Sequence, residues 1–367
     1  MKILLVGEHY SDNYGDGIIS ICFQEIIKKR NIDYELLDLS GKQYWSTNAV
    51  DTANIGKKVR NDFVRSYVRN LRNIVASKSR VKDFFTDNPA DYSAVIYDGG
   101  SLFMSYFAPM HYYINKECQK RNIPIFYNAC GFGKMDYQID SFLLKRAISC
   151  DCVKYISIRD SIPSIQKLFR KKCIKTVDVG ILVSRFYNRK KAASDKMGIG
   201  YMWVDPIFND KFEKSIESLI DYFEEAGIKW ELFTNGNGMD YAHMHLFFDN
   251  YQNRKDVVYG SVAPIPNNPY ELVDTILTYS KILTCRLHSA IVSYSYLIPS
   301  FCVDWSDKIR SFYSVIGHEE QVLIPTFDGQ YIAKKMISLE YSASDAVRLG
   351  ELQNEAGRNA KFILDSV

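Results

Sequence analysis

The chain reads as an α/β protein built from two open parallel-sheet domains that face each other across a cleft, and three observations predict it. Short apolar runs alternate with amphipathic helical stretches along most of its length. A polar, basic interruption between Ser184 and Lys196 separates two such series. Several apolar runs end in polar or glycine-containing turns, the place where open parallel sheets bind ligands. With 367 residues, 47% of them hydrophobic and 24% charged, the chain has material for two packed cores.

The first series, residues 1–184, opens with a strand over 2–7 and a polar turn over 8–15. A helix over 17–30 follows, its apolar positions Ile18, Ile19, Cys22, Phe23, Ile26 and Ile27 falling at helical spacing. After a strand over 34–39, the basic and aromatic stretch 41–86 predicts one or two helices. A strand over 94–97 runs into Asp98-Gly99-Gly100-Ser101, where glycines permit close approach of a backbone or ligand. A helix over 113–120, a strand over 124–128, a helix over 141–148 and a strand over 155–158 continue the alternation. Beyond Asp160 the pattern predicts a helix with Ser164 in its second turn.

The second series, residues 197–341, predicts strands over 198–204, 229–234, 257–259, 281–284 and 300–303. Helices are expected over 210–226, 241–251, 270–279 and 307–316, with a further one opening at the stretch Arg286-Leu287-His288. Residues 342–367 read as a third segment. This helix, with Leu349, Leu352, Ala356, Ala360 and Ile363 on one side, is expected to cross back onto the first domain.

A formal net charge of +3 carries no nucleic-acid footprint, so nucleic acid is not an expected partner. Residues 57–82 nevertheless hold nine basic residues against the single acid Asp62, with apolar side chains between them. That pattern fits either a solvated helix or peripheral contact with an anionic membrane surface. No apolar run is long enough to span a bilayer, and the strand at the N-terminus leaves no room for a leader, so a cytoplasmic protein is expected. The eight cysteines are scattered, mostly in apolar surroundings, as reduced core thiols are. Cys150-Asp151-Cys152 has poor zinc spacing and no second pair, and His243 and His245 would point to different faces of a helix, so no metal site is expected.

Five strand ends carry side chains suited to chemistry. Arg286 and His288 follow the strand over 281–284 and put a fixed cation and a titratable imidazole where a helix begins, a place to hold an anion and move protons. The plain alternative pairs Arg286 with a carboxylate and satisfies His288 within an interdomain seam. Asn13 and Asp16 precede the first helix, where Asp16 is either a cap or a ligand for a hydroxylated substrate. Asp98, Gly99 and Gly100 form either a tight turn or an acceptor-side loop. Arg159 leaves its strand beside Asp160, to face the cleft or to pair with Asp160 or Asp178. Lys308, near a helix start, either reaches an anion or stays at the surface.

Taken in order, Asn13-Tyr14-Gly15-Asp16, Gly99-Gly100, Arg159-Asp160 and Arg286-Leu287-His288 with the later Pro299 resemble the polysaccharide pyruvyl transferase family over roughly residues 1–316. Where that family has a triple glycine this chain has Asp98-Gly99-Gly100, and where it has Asp-Pro this chain has Asp178-Val179. The resemblance implies two Rossmann-like domains in the GT-B arrangement and transfer of the enolpyruvyl unit of phosphoenolpyruvate to two hydroxyls of one sugar. The product would be a cyclic pyruvate ketal in a cell-surface polysaccharide precursor, whose glycan acceptor would be free or lipid-linked. On that reading Arg286, Arg159, Leu287 and Lys308 hold the donor and His288 is the acid. Asn13, Asp98, Gly99 and Gly100 face the acceptor, with Asp16 or Asp98 as base. Phosphoenolpyruvate is a co-substrate, and no cofactor is implied. Two other readings fit the same architecture: a nucleotide-sugar glycosyltransferase of GT-B type, and a non-catalytic glycan-binding protein.

Overall fold

The computed structural model describes residues 1–45, 63–87, 91–160, 169 and 171–367, with thirteen strands among them in two sheets. The helix expected to carry Ser164, and residues 57–62 of the basic stretch, lie outside the described residues. The first sheet contains β1 (Lys2–Gly7), β2 (Asp33–Asp38), β3 (Ala94–Tyr97), β4 (Gly100–Phe103), β5 (Ile125–Phe132), β6 (Val153–Ile158) and β7 (Ile174–Lys175). Its order is β2-β1-β3-β5-β6-β7, with β4 alongside β5. The second contains β8 (Met197–Gly200), β9 (Trp230–Phe233), β10 (Gly260–Val262), β11 (Lys281–Thr284), β12 (Ser300–Val303) and β13 (Val322–Leu323), in the order β10-β9-β8-β11-β12-β13. Every pairing is parallel; Leu5 of β1 sits opposite Leu36 on one side and Ile96 on the other. Both faces of such strands are covered, which is why β1 reads as an unbroken apolar run after Lys2.

Strand order reverses between β1 and β3 in the first sheet and between β8 and β11 in the second. Open α/β sheets bind ligands at such switch points, beyond the carboxyl ends of the strands. β1 ends at the turn leading to Asn13 and Asp16, and β11 ends at Cys285-Arg286-Leu287-His288. The two stretches singled out in the sequence therefore leave the two sheets where topology opens a crevice.

The helices are α1 (Tyr14–Lys28), α2 (Phe63–Asp87), α3 (Ala108–Arg121), α4 (Gln138–Ile148), α5 (Val183–Phe186), α6 (Pro206–Glu225), α7 (Gly238–Gln252), α8 (Pro269–Leu277), α9 (Leu287–Ser295), α10 (Asp307–Ile316), α11 (Gly329–Ser338) and α12 (Ala343–Asp365). α1 begins three residues earlier than its apolar periodicity indicates, so Asp16 lies in its first turn and Asn13 is the residue before it. The strand expected over 257–259 forms instead at Gly260–Val262, and β13 and α11 carry no expectation from the sequence.

One apolar core joins the two halves. Tyr14, Ile18 and Phe23 of α1 share it with Ile276 of α8, Ile291 and Tyr294 of α9, and Leu352 and Ile363 of α12. Separate cores fill the outer face of each sheet. Helix α12 returns to the first sheet: Asn359 donates to Asn128 Oδ1 at 2.7 Å and to Ser157 Oγ at 2.9 Å, and accepts from Tyr155 Oη at 2.7 Å. Among the cysteines, Cys150 and Cys152 are joined by a disulfide, a departure from the expectation of reduced thiols throughout; the other six are free and buried. With one intervening residue the two sulfurs reach each other across a turn, so the pair closes only a tiny loop.

Candidate active site

A cleft of about 470 Å³ lies between the two sheets, walled by the residues after β1, β4 and β6 on one side and by α9 and α10 on the other. Asn13, Asp16, Arg159, Arg286, Leu287, His288 and Lys308 all line it. Sequence reasoning placed each of these at a strand end, and the fold brings them together from four separate segments.

The seam beside the cleft is tight. Tyr14 N–H donates to the Asn235 carbonyl at 2.9 Å, and Ser289 Oγ donates to Asn235 Oδ1 at 2.6 Å, so Asn235 ties α1 to α9. A Cβ built on Gly15 would come within 2.3 Å of the His288 Cβ. Only a residue without a side chain lets α1 approach His288 this closely.

His288 is 7% exposed. Its Nε2 lies 3.1 Å from Arg159 Nη1. A guanidinium only donates, so Nε2 accepts and the imidazole carries its proton on Nδ1, which faces Asp16 Oδ1 at 3.8 Å. Asp16 accepts in turn from Asn13 Nδ2 at 2.9 Å. Arg159 also binds Asp178 and donates to Ser101 Oγ at 3.0 Å. Burial alone would raise the Asp178 carboxyl, but the Arg159 guanidinium, with the Gly180 N–H, holds it well below the usual carboxylate range.

Arg286 is paired, as its plain alternative anticipated, and also lines the cleft. Its Nη2 donates to Asp240, a carboxylate 2% exposed whose other oxygen accepts from the Trp203 N–H at 3.0 Å. Lys308 is no surface lysine: it donates to Ser101 Oγ at 3.0 Å, and burial together with the nearby Arg159 lowers its affinity for a proton. Nε of Arg159 and Nε of Arg286 are buried and make no hydrogen bond among the described residues. Arg159, Arg286 and Lys308 thus bring donor capacity to spare to the cleft, whose wall also includes Lys42.

Helix ends add to that field. Asp205, Asn237, Asn268, Asp328 and Ser342 cap α6, α7, α8, α11 and α12 with their side chains. Helices α9 and α10, which open on the cleft, have no side-chain cap, and neither has α1. Their first N–H groups contribute positive potential at the site.

Asp98, Gly99 and Gly100 are not at the cleft wall. Gly99 and Gly100 turn the chain at φ of 127° and 90°, a left-handed path that carries Ser101, not Asp98, to the cleft. Asp98 is 1% exposed, points back toward Gly7, and lies 3.2 Å from Nδ1 of the equally buried His9. Their expected acceptor contact is accordingly not available to Asp98, and Ser101 takes the wall position.

Glu8, Ser101, Trp305 and Asn237 line the cleft without having been assigned a role from the sequence. Glu8 directly follows β1 and so obeys the same strand-end rule as the others. Burial, and then the Asp16 charge, pushes its carboxyl well above the ordinary value, and Ser11 Oγ donates to it at 2.9 Å. Asp240 carries no local signal, because its role depends on a partner 46 residues away.

The family profile described as "Polysaccharide pyruvyl transferase" matches residues 13–307. The chain is 22% identical over 380 residues to the amylovoran biosynthesis protein AmsJ of Erwinia amylovora, covering 91% of each. Among solved structures it resembles the UDP-GlcNAc 2-epimerase of Methanocaldococcus jannaschii with a TM-score of 0.59 at 12% identity, over 100% of this chain and 99% of that one. It also resembles the UDP-GlcNAc 2-epimerase of Neisseria meningitidis, with a TM-score of 0.55 at 11% identity over 100% and 99% of the two chains. The spinosyn rhamnosyltransferase SpnG gives 0.52 at 9% identity over 100% and 99%. These structures share the GT-B type of fold, two Rossmann-like halves facing across a cleft. The match over residues 13–307 spans the cleft and both sheets, and the chain belongs to the polysaccharide pyruvyl transferase family.

Proposed function

We propose that this protein transfers the enolpyruvyl unit of phosphoenolpyruvate onto two hydroxyls of one sugar in a polysaccharide precursor, forming a cyclic pyruvate ketal and releasing phosphate. The observation that carries the reading is the convergence of Arg159, Arg286 and Lys308 around His288, with Asp16 3.8 Å from its other nitrogen. The donor brings a carboxylate and a phosphate, and paired guanidinium N–H groups suit both. The open starts of α9 and α10 supply further N–H groups, so the cations and helix ends account for phosphate binding without a metal. No cofactor is required by this chemistry.

In the proposed sequence the donor phosphate takes Arg159 from His288, and the freed imidazole is then able to hold a second proton. His288 protonates carbon 3 of the enol, which becomes the methyl group, and carbon 2 becomes oxocarbenium-like. A sugar hydroxyl attacks carbon 2 while Asp16 accepts its proton and returns it to His288 across their short separation. The bond from carbon 2 to the phosphate oxygen breaks. The second hydroxyl then closes the ring on carbon 2, and its proton leaves with phosphate. Asn13 orients Asp16 toward the sugar, and Leu287 contributes the apolar wall against the methylene.

The relation to a protein named for amylovoran biosynthesis supports a biosynthetic role. Cytoplasmic placement follows from the donor, and a lipid-linked acceptor is consistent with it. No helix among the described residues is long and apolar enough to cross a membrane. Incubation with phosphoenolpyruvate and oligosaccharide acceptors tests the reading: phosphate release that depends on acceptor is expected. The structural neighbours include an epimerase named for UDP-GlcNAc and a rhamnosyltransferase complexed with thymidine diphosphate. Turnover of nucleotide sugars with none of phosphoenolpyruvate would replace this reading with glycosyl transfer, and glycan binding without donor consumption would make the protein non-catalytic.

A further inference from the structure

The outward face of α2 is unlike the surface around it. From residue 63 to residue 82 this helix carries six cations and no acid. Its inward face is anchored by buried Ser77, Val81 and Phe85. An adjoining face exposes Tyr67, Leu71 and Val75, spaced one helical turn apart, with Val75 69% exposed. Exposed apolar residues at regular helical spacing do not serve this protein's own core.

Two neighbouring segments widen the same face. Asn70 Nδ2 donates to Asp140 Oδ1 of α4 at 3.2 Å, and the Tyr67 ring packs edge-on against Tyr137 just before α4. α4 in turn exposes Ile139 and Phe142, the latter by 56%, beside exposed Lys145 and Arg146. Asn73 Nδ2 donates to the carbonyl of Tyr106 at 2.9 Å. Tyr106 is 52% exposed and lines the cleft, so the apolar face runs to the mouth of the active site.

We infer that this face, Tyr67, Leu71 and Val75 of α2 with Ile139 and Phe142 of α4, is a docking surface for an anionic lipid bilayer. An excess of positive charge around a strip of large apolar side chains matches a surface that is negative at its headgroups and apolar just beneath. Insertion of the apolar tips and attraction of the flanking cations act together, and neither is sufficient for firm attachment alone. The arrangement sets the cleft mouth against the headgroup layer, where the sugar of a lipid-linked glycan would stand. This inference rests on the surface itself and is independent of the transfer chemistry.

Flotation of the full-length protein with vesicles tests it. The protein is expected to float with phosphatidylglycerol-containing vesicles at low salt and to be released as salt rises, with weak binding to pure phosphatidylcholine. Lys78→Glu with Lys82→Glu removes two flanking cations and should weaken vesicle affinity by roughly 30-fold or more, each cation near the surface counting for about fivefold. Leu71→Asp with Phe142→Ser should abolish flotation while circular dichroism and thermal unfolding stay unchanged, since both positions are exposed. Failure to float with anionic vesicles at low salt would overturn the inference, as would flotation unaffected by the Leu71 and Phe142 changes. A dimer in size-exclusion chromatography that Leu71→Asp dissolves, without vesicle binding, would assign the face to a second copy of this chain instead.

Discussion

Arg286→Ala removes two things at once, and the structure separates them. The first is a donor contact: the guanidinium lines the cleft with its Nε unpartnered. A forked hydrogen bond to a charged oxyanion is worth about 3 kcal/mol, so donor KM should rise by roughly 150-fold. The second is the partner of Asp240, which is 2% exposed. Breaking a buried ion pair by removing one member costs about 3–5 kcal/mol, and with the Arg286 side chain 19% exposed about 2 kcal/mol is the reasonable figure here. In domains of this size that lowers Tm by about 4–8 °C. Arg286→Met with Asp240→Asn leaves no buried charge, so it should recover most of the Tm while donor KM stays high. Steady-state kinetics with varied phosphoenolpyruvate, set beside thermal unfolding of the single and double variants, reads both quantities. Recovery of donor KM together with Tm would refute the reasoning, because it would make Arg286 a purely structural residue.

His288→Ala should lower turnover by about a hundred- to ten-thousandfold while donor affinity changes much less; near-normal turnover would remove it as the acid. Gly15→Ala forces a methyl into His288 and should cost about 1–3 kcal/mol of stability and most of the activity, although alanine is the better helix former; an unchanged Tm and turnover would contradict the tight seam. The Glu8 carboxyl binds its proton more tightly folded than unfolded, so its contribution to stability is complete at low pH and is lost as pH rises from the ordinary carboxyl range through its folded value. Thermal unfolding across that range should show Glu8→Gln flattening the decline, and a parallel decline would contradict it. Asp178 acts in the opposite sense: its depressed proton affinity gives stability that is present at neutral pH and lost on acidification below the usual carboxylate range, a loss that Asp178→Asn should diminish in an acid titration of unfolding.

The architecture was legible because parallel strands buried on both faces read as near-continuous apolar runs, as β3 and the part of β1 after Lys2 do, and because each ends where the pattern turns polar. Arg286 and His288 were legible for the same reason: β11 stops at Thr284 and α9 starts at Leu287. Asp98 was misplaced because two successive glycines at positive φ redirect the chain, and nothing in Asp98-Gly99-Gly100-Ser101 tells which side chain the turn presents. Ser101 gained the wall position by that turn. The pairing of Asp240 with Arg286, and the bridging by Asn235 between α1 and α9, depend on residues distant in the chain that no local spacing encodes. The exposed face of α2 was only half visible: its cations stand out in the sequence, but whether Leu71 and Val75 face a core or solvent is decided by what packs beside them.

The central claim concerns the fate of carbon 3 of the donor, and the reaction run in deuterated water with phosphoenolpyruvate and a glycan acceptor tests it most directly. Because the proton added to carbon 3 comes from His288, which exchanges with solvent, the product should carry a ketal methyl group with one deuterium. The acceptor should gain the mass of one pyruvate less one water, that deuterium included, with one phosphate released per ketal. A product that keeps the donor's methylene as a vinyl ether, or an acceptor left unchanged while phosphoenolpyruvate is untouched, would contradict the account.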